Sequence, residues 1–126
     1  MAHIVGDAVL DGGLNVIHEA ATGIYICSSD PTTYTEAVST FAIGAKSFPP
    51  GTAFGPPGPA SGGRQVASTP IRDGNMTASG APAAWAVVDD AGRRLLANGR
   101  LNVTEYIAAG NTFTLPSFTV GIPSGA

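Results

Sequence analysis

Ala83-Ala-Trp-Ala-Val-Val-Asp-Asp-Ala-Gly-Arg-Arg-Leu-Leu-Ala-Asn-Gly-Arg100 is the stretch that decides the fold class. Two β-prone runs, Ala83–Asp89 and Arg93–Arg100, flank a three-residue Asp-Ala-Gly connection, which predicts a β-hairpin. Alternation gives each strand an apolar face: Trp85 and Val87 on the first, and Leu95, Ala97 and Leu101 on the second. The pattern is typical of an antiparallel β-protein.

One further hairpin is predicted before this one and another after it. Arg64–Thr69 and Asn75–Ser79 flank Asp-Gly, and Leu101–Ala108 and Thr112–Ile122 flank Ala-Gly-Asn. In the last run the apolar phase changes at Pro116, which predicts a bulge or kink. Short strands at regular spacing predict a mostly-β fold in one domain, an antiparallel β-sandwich or barrel-like domain with a short N-terminal helix and a long Pro/Gly-rich loop.

The N-terminal part predicts the helix. Leu10, Leu14, Ile17 and Ala21 follow the spacing of one apolar helical stripe. We expect Asp7 to cap its start. Gly23 is expected to end the helix in a left-handed conformation.

Two strands and a helical turn are predicted to follow the helix. Ile24–Ser28 and Phe41–Lys46 are rich in β-branched and aromatic residues, and alternation puts Phe41 and Ile43 on one face. Between them, Thr33 and Glu36 match a capping box, in which each side chain accepts a hydrogen bond from the other end of the first helical turn.

Composition limits the function classes. The chain has 126 residues, enough for one core, and a net charge of −3 with no basic stripe, which argues against direct nucleic-acid binding. No apolar run is long enough for a membrane span, and the N-terminus lacks signal-peptide features, so we expect assembly in the cytosol. The charged fraction of 12% favours a subunit that hides much of its surface in an assembly over a rigid secreted-type β-domain.

The candidate catalytic residues do not form a motif. Cys27, the single cysteine, lies in an apolar run without an adjacent base, so it is interpreted as a core residue. His18 lacks a metal-ligand spacing, and Asp89 and Asp90 are adjacent strand and turn residues that point to opposite faces. The sequence therefore predicts a non-enzymatic protein with no metal and no cofactor.

A Pro/Gly-rich stretch, Phe48–Arg64, interrupts the β-pattern. Loops of this length inside a compact domain are usually functional or disordered, so residues 49–63 are interpreted as an arm that contacts a partner. Phe54 is its expected anchor and Gly62-Gly63 its expected hinge. The predicted contact residues are Pro50, Phe54, Pro56, Pro57, Pro59 and Arg64.

Six segments carry a resemblance to a known class of proteins. They are Leu10–Ile17, Ile26–Ala37, Ser61–Arg64, Thr77–Gly80, Ala86–Asp89 and Ala109–Pro116. Their order resembles that of small structural proteins encoded in the morphogenesis regions of tailed bacteriophages, over nearly the whole chain. The resemblance implies a virion component without enzymatic activity.

The residues and the resemblance together lead to one function hypothesis with two rivals. The leading hypothesis is a capsid decoration or cement protein that binds the major capsid protein or other virion proteins, as a trimer or other symmetric oligomer. The nearer rival is a neck, tail or fibre-adaptor subunit of the virion. The more distant rival is a small carbohydrate- or host-binding β-module, for which Trp85 and three tyrosines, Tyr25, Tyr34 and Tyr106, are the available aromatic side chains.

Overall fold

The computed structural model describes residues 7–60, 63–101 and 106–123. Helix α1 spans Asp7–Ala20 and a π-helical turn spans Glu36–Thr40. The strands are β1 (Gly23–Cys27), β2 (Ala42–Ser47), β3 (Gly58–Ala60), β4 (Gly63–Ala67), β5 (Ile71–Met76), β6 (Ala84–Asp89), β7 (Arg94–Arg100), β8 (Thr112–Leu115) and β9 (Thr119–Pro123).

The strands form two antiparallel sheets. The large sheet has the order β7-β6-β1-β2-β5-β8, and the small sheet has the order β3-β4-β9. The predicted mostly-β class with a short N-terminal helix is confirmed, and the sheets do not close into a barrel. Among the described residues no helix is long and apolar enough to cross a bilayer.

The main core lies between the large sheet and a second layer made of α1 and the small sheet. The helix contributes Leu14 and Ile17, the small sheet contributes Val66, and β1 contributes Ile24 and Ile26. All five side chains are less than 9% exposed. Burial on this scale is the dominant stabilising term for a domain of this size.

A second, smaller cluster covers the opposite face of the large sheet. Its buried members are Cys27, Ala37, Ala84, Ala86 and Val88. Tyr34, Val38 and Phe41, from the segment around the π-helical turn, pack over them. Because both faces of β1 and β6 are covered, these central strands are apolar on both sides, in contrast to a half-exposed strand.

The hairpin predicted from Ala83–Arg100 is present as β6 and β7, with one β-bulge that changes which side chains share a face. The register shifts between Val87 and Val88, which pair with Ala97 and Leu95, so Leu96 is the extra residue of a β-bulge. Leu95 consequently faces the small cluster while Ala97 faces the main core. The prediction that these two side chains share a face is wrong because alternation does not survive a bulge.

The predicted turn at Asp73-Gly74 is wrong, since both residues lie inside β5. A Cβ atom on Gly74 would come within 2.3 Å of the Phe113 ring. The glycine is therefore required by close packing between β5 and β8, and not by a turn.

The phase change at Pro116 marks a change of sheet. β8 pairs with β5 in the large sheet, whereas β9, after the proline, pairs with β4 in the small sheet. The predicted turn before β8 is present, with Gly110 at φ 89°. The predicted hairpin around it is wrong, since among the described residues β8 pairs with β5 and not with the segment before the turn. Residues 102–105 of the predicted strand Leu101–Ala108 lie outside the described residues, and Ile107 forms an isolated bridge with Gly80.

The N-terminal predictions are mostly confirmed. The helix is present, but Gly23 is the first residue of β1 and does not cap it; the side chain of Asp7 lies outside the described part. Thr33 Oγ1 accepts a hydrogen bond from the Glu36 N–H at 3.2 Å, as a cap should. The Glu36 carboxylate accepts instead from Thr32, through its N–H and its hydroxyl.

The two strands that follow the helix are confirmed, with one side chain on the other face. β1 and β2 match the predicted runs to within a residue at each end. Phe41 packs on the small cluster and Ile43 in the main core, so they do not share a face. Phe41 directly follows the π-helical turn and precedes β2, so strand alternation does not apply to it.

Candidate interaction surface

The Pro/Gly-rich stretch begins with a tight turn. The N–H of Thr52 donates to the carbonyl of Pro49 at 3.2 Å, and Gly51 adopts φ 83°. A proline at the second position and a left-handed glycine at the third are the signature of a type II turn. Pro50 occupies that second position, where its side chain is exposed.

After this turn the chain runs alongside the segment that follows β4. Phe54 forms a bridge with Ser68, and the Thr69 N–H donates to the Ala53 carbonyl at 2.8 Å. The Gly55 N–H donates to the Ala67 carbonyl at 3.0 Å. These bonds give residues 53–55 a defined extended path.

The pairing resumes in β3, where Gly58 lies opposite Gln65 and Pro59 opposite Arg64. From the Phe54–Ser68 bridge to the Gly58–Gln65 pair, four steps on one strand match three on the other. The extra residue falls in the segment containing Pro56 and Pro57 and acts as a bulge. The stretch is therefore one strand-like arm of an irregular hairpin, and the interpretation of residues 49–63 as a loop is wrong for β3 and for the paired residues 53–55.

Phe54 is a core residue. Its side chain is 1% exposed, and its ring meets that of Phe118 edge to face, with centroids 5.7 Å apart. Its carbonyl oxygen lies 2.8 Å from His18 Nδ1 on α1. The prediction of Phe54 as a partner contact is wrong in this conformation, because an aromatic ring between prolines is held more favourably by the core than by water.

Arg64 is bound within the molecule. Its Nε and one terminal nitrogen donate to the two carboxylate oxygens of Asp11 at 2.8 and 3.1 Å. The pair is 20% and 30% exposed and ties α1 to β4. Arg64 is therefore a structural link between the helix and the small sheet, and its role as a partner contact stays a prediction.

The remaining prolines stay at the surface. Pro56 and Pro59 are exposed and Pro57 is half-buried. We call Pro56, Pro57 and Pro59 the proline edge, since Pro59 lies on β3, the outer strand of the small sheet, and Pro56 and Pro57 directly precede that strand. Of the predicted hinge, Gly63 belongs to β4 and Gly62 lies outside the described residues.

The proline edge has few backbone donors. Proline has no N–H, and within a sheet it is tolerated where the missing donor would point to solvent. Between residues 56 and 59 only Gly58 retains an N–H. This edge therefore offers carbonyl acceptors and apolar rings, and resists the addition of another strand.

The candidate nucleophile, Cys27, lies in the protein core. Cys27 is fully buried, and its Sγ lies 3.5 Å from the Ala37 carbonyl. Burial, with a smaller contribution from the charge of Asp30, raises the pKa of the Cys27 thiol to about 11, which disfavours the thiolate. It is a core cysteine, as the sequence indicated.

Asp89 and Asp90 have separate roles at the β6–β7 turn. Asp89 accepts from the Gly92 N–H and from Arg94, and these bonds, the first the larger, lower the pKa of its carboxyl. Asp90 accepts from the Tyr34 hydroxyl at 2.8 Å. In residues 7–60, 63–101 and 106–123 no three His, Cys, Asp or Glu side chains are grouped so as to hold a metal ion.

An apolar groove that the sequence did not reveal lies beside β8. Its volume is about 500 Å³. Ile26, Leu101, Ile107, Phe113, Leu115 and Pro116 contribute to its walls. These residues are far apart in the sequence, so no local signal could have revealed the groove.

No protein-family model, no curated protein and no solved structure matches this chain.

Proposed function

We propose that this chain is a non-enzymatic structural subunit of a tailed-bacteriophage virion, assembled in the host cytoplasm. In its most specific form it is a capsid decoration, or cement, protein that binds the major capsid protein and stabilises the shell. It acts as a trimer or other symmetric oligomer, through protein–protein contacts alone, without a cofactor, a membrane or direct contact with nucleic acid.

Two properties of the chain support this proposal. The charged fraction of 12% is about half of that in typical globular domains, and the buried centres of protein interfaces are depleted of charged residues. The resemblance to small phage morphogenesis proteins points in the same direction and covers nearly the whole chain.

The proline edge is the observation that carries the proposal. A subunit that cements its neighbours benefits from a contact surface that keeps its shape, because ordering a flexible segment on binding costs free energy. Phe54, buried on one side of the edge, and the β3–β4 pairing on the other hold it in place. Its prolines also discourage strand pairing between copies crowded together on a shell.

A neck, tail or fibre-adaptor subunit could use the same surface. The two roles differ in stoichiometry, since shell proteins follow the high copy number of the capsid lattice, whereas necks and fibres follow the low-order symmetry of the tail. The exposed prolines do not favour one site over the other. Both roles fit the low charge and the resemblance, and the copy number per particle separates them.

A carbohydrate-binding module is less well supported by the aromatic side chains. The Trp85 ring packs against Phe118 with centroids 4.3 Å apart, and the Arg93 guanidinium covers the Tyr34 ring at 5.5 Å. Tyr106, at 71% exposure, presents its ring to solvent. Stacking on a sugar needs free ring faces, and Trp85 and Tyr34 already use theirs within the protein.

Quantitative mass spectrometry of purified virions tests the proposal. The ratio of this chain to the major capsid protein would be measured with isotope-labelled reference peptides. A copy number of hundreds per particle is expected for a decoration protein. A copy number of about a dozen would favour the neck or tail alternative, and absence from the particle would refute a virion role.

A further inference from the structure

We propose that the free edge of β8 binds an extended segment of another protein in which an acidic residue stands between two apolar ones. The inference goes beyond the proposed function, because it concerns a different surface and holds for any partner that carries such a segment. Three features that meet at β8 support it: an unpaired backbone edge, the apolar groove and the side chain of Arg72.

The first feature is the direction of the backbone groups of β8. The Met76 N–H of β5 donates to the Asn111 carbonyl at 2.9 Å, and Thr112 lies opposite Asn75. Successive residues of a strand turn their N–H and C=O groups to opposite sides, so Thr112 and Thr114 turn theirs away from β5. Among the described residues no strand pairs with that side. An extended antiparallel segment can therefore bond to both residues.

The second feature is the apolar groove under this edge. Phe113 and Leu115 belong to the main core, and both line the groove together with Leu101 and Ile107. A strand added to β8 directs alternate side chains to this same face, opposite Phe113 and Leu115. The groove volume of about 500 Å³ leaves room for apolar side chains at these two positions, where their burial favours binding.

The third feature is a cation on the outer face. Ile71 is buried and Arg72 is exposed, so alternation directs Arg72 away from the core. Arg72 lines a second cavity of about 510 Å³ together with Thr114 and Leu115. Within the described part of the chain its guanidinium forms no ion pair. A residue opposite Thr114 in an added strand lies on this outer face, where a carboxylate would be attracted to the arginine.

These features fix the order of residues in the partner. The side chains opposite Phe113 and Leu115 are apolar, and the one between them, opposite Thr114, is acidic. Because β8 has only four residues, backbone bonds are few and the side chains select the partner. No acidic residue of this chain stands between two large apolar residues, so a second copy does not supply the segment.

The side-chain contacts are tested by fluorescence anisotropy with a fluorescein-labelled peptide, Ser-Thr-Val-Glu-Val-Thr-Ser. We expect saturable binding to the purified protein with a Kd below about 1 mM. A peptide with lysine in place of glutamate should bind at least about threefold more weakly, because an exposed ion pair is lost. Arg72→Glu should reverse this preference. Arg100→Glu, at another exposed arginine, is the matched control and should retain it.

The backbone contact has a control that leaves the protein unchanged. Methylation of the glutamate nitrogen in the peptide removes the N–H that faces Thr114 and retains every side chain. Binding should weaken at least about tenfold, because the hydrogen bond is lost and the methyl group blocks pairing.

Each outcome decides the inference. Absence of saturable binding up to about 1 mM peptide overturns it, as does equal binding of the glutamate and lysine peptides. Equal binding of the methylated peptide would exclude strand pairing and would also overturn it. Self-association in sedimentation velocity that the peptide does not reverse would assign the edge to a second copy, against the inference. None of these results changes the copy number in the virion, so the proposed function is tested separately.

Discussion

The edge strands β3 and β8 each have an unpaired side, and they limit the addition of further strands in different ways. β3 lies at the edge of the small sheet and sits within a proline-rich segment. β8, at the edge of the large sheet, is Thr-Phe-Thr-Leu, with neither a proline nor a charge, and its described pairing is with β5. Unpaired edges invite further strands unless they are short, charged or interrupted by proline.

The two edge strands differ in which of their side chains are buried. β8 faces inward, since Phe113 and Leu115 are buried and Thr112 and Thr114 are exposed, and Pro116 ends the strand after four residues. β3 has no buried side chain of its own, since Pro59 is exposed and Ala60 half-buried, and the buried anchor is the neighbouring Phe54. The large-sheet edge thus contributes to the core, whereas the small-sheet edge leaves Pro59 at the surface.

The largest expected effect comes from removing the anchor of the proline edge. Phe54→Ala should lower the free energy of unfolding by about 3–5 kcal/mol, because the change leaves a cavity in the main core. Urea unfolding followed by tryptophan fluorescence measures the loss. Pro50→Ala, at the exposed turn, is the control and should change stability by less than about 0.5 kcal/mol.

The burial of this segment also decides the effect of deleting it. Deletion of Thr52–Pro59 would leave a folded β-domain if the stretch were a solvated arm. Since it contains Ala53 and Phe54, at 0% and 1% exposure, we now expect the deletion to unfold the domain. A cooperative unfolding transition retained by the deletion variant would contradict the packing described above.

A second prediction concerns one glycine at each edge: Gly74 in β5, which pairs with β8, and Gly58 in β3 itself. Gly74→Ala should destabilise the protein by about 1–3 kcal/mol, because its Cβ would overlap the Phe113 ring of β8. Gly58→Ala, in β3, is the matched control, since no atom lies within 4 Å of its Cβ position. Equal thermal stabilities for the two variants would show that β8 is not packed as described.

A third edge strand, β7, contains Arg94, which forms an ion pair with Asp89 of β6. The contribution of this contact to stability can be tested by varying the pH. Hydrogen bonds from Gly92 and Arg94 lower the pKa of Asp89 in the folded state below the ordinary value of 3.8. The stabilisation is complete above that ordinary value and is lost as the pH falls through the lowered folded value. Urea titrations at a series of pH values should therefore show Asp89→Asn losing less stability on acidification than the wild-type protein, by a smaller margin than the effect of Gly74→Ala.

The smallest effect on stability is expected at the proline edge itself. Pro59→Val should change the free energy of unfolding by no more than about 0.5 kcal/mol. It restores a backbone donor at an exposed edge, so self-association should increase. Sedimentation velocity over a range of concentrations would detect it, with Pro70→Val as the control. Identical sedimentation of both variants would show that the prolines do not guard this edge.

The sequence predicted what depends on local pattern and missed what depends on distant neighbours. The helix, β1, β2 and the β6–β7 hairpin were predicted because periodicity and turn chemistry act within a few residues. The turn at Asp73-Gly74 was wrong because Phe113, about forty residues away, requires the glycine. For the same reason Phe54 and Arg64 could not be separated from the exposed prolines, since their partners Phe118 and Asp11 lie elsewhere in the chain.

By itself, the sequence determined a mostly-β chain with an N-terminal helix, low charge and a rigid proline-rich segment, because these follow from residue type and spacing. The tertiary structure decided which side of that segment is buried. Phe54 lies in the core because the packing of α1 and of the segment just before β9 places His18 and Phe118 around it. Pro59 lies outside on β3, the edge strand of the small sheet, and Pro56 lies outside on the segment before β3. Burial is a property of neighbours brought together by folding, and no local pattern encodes it.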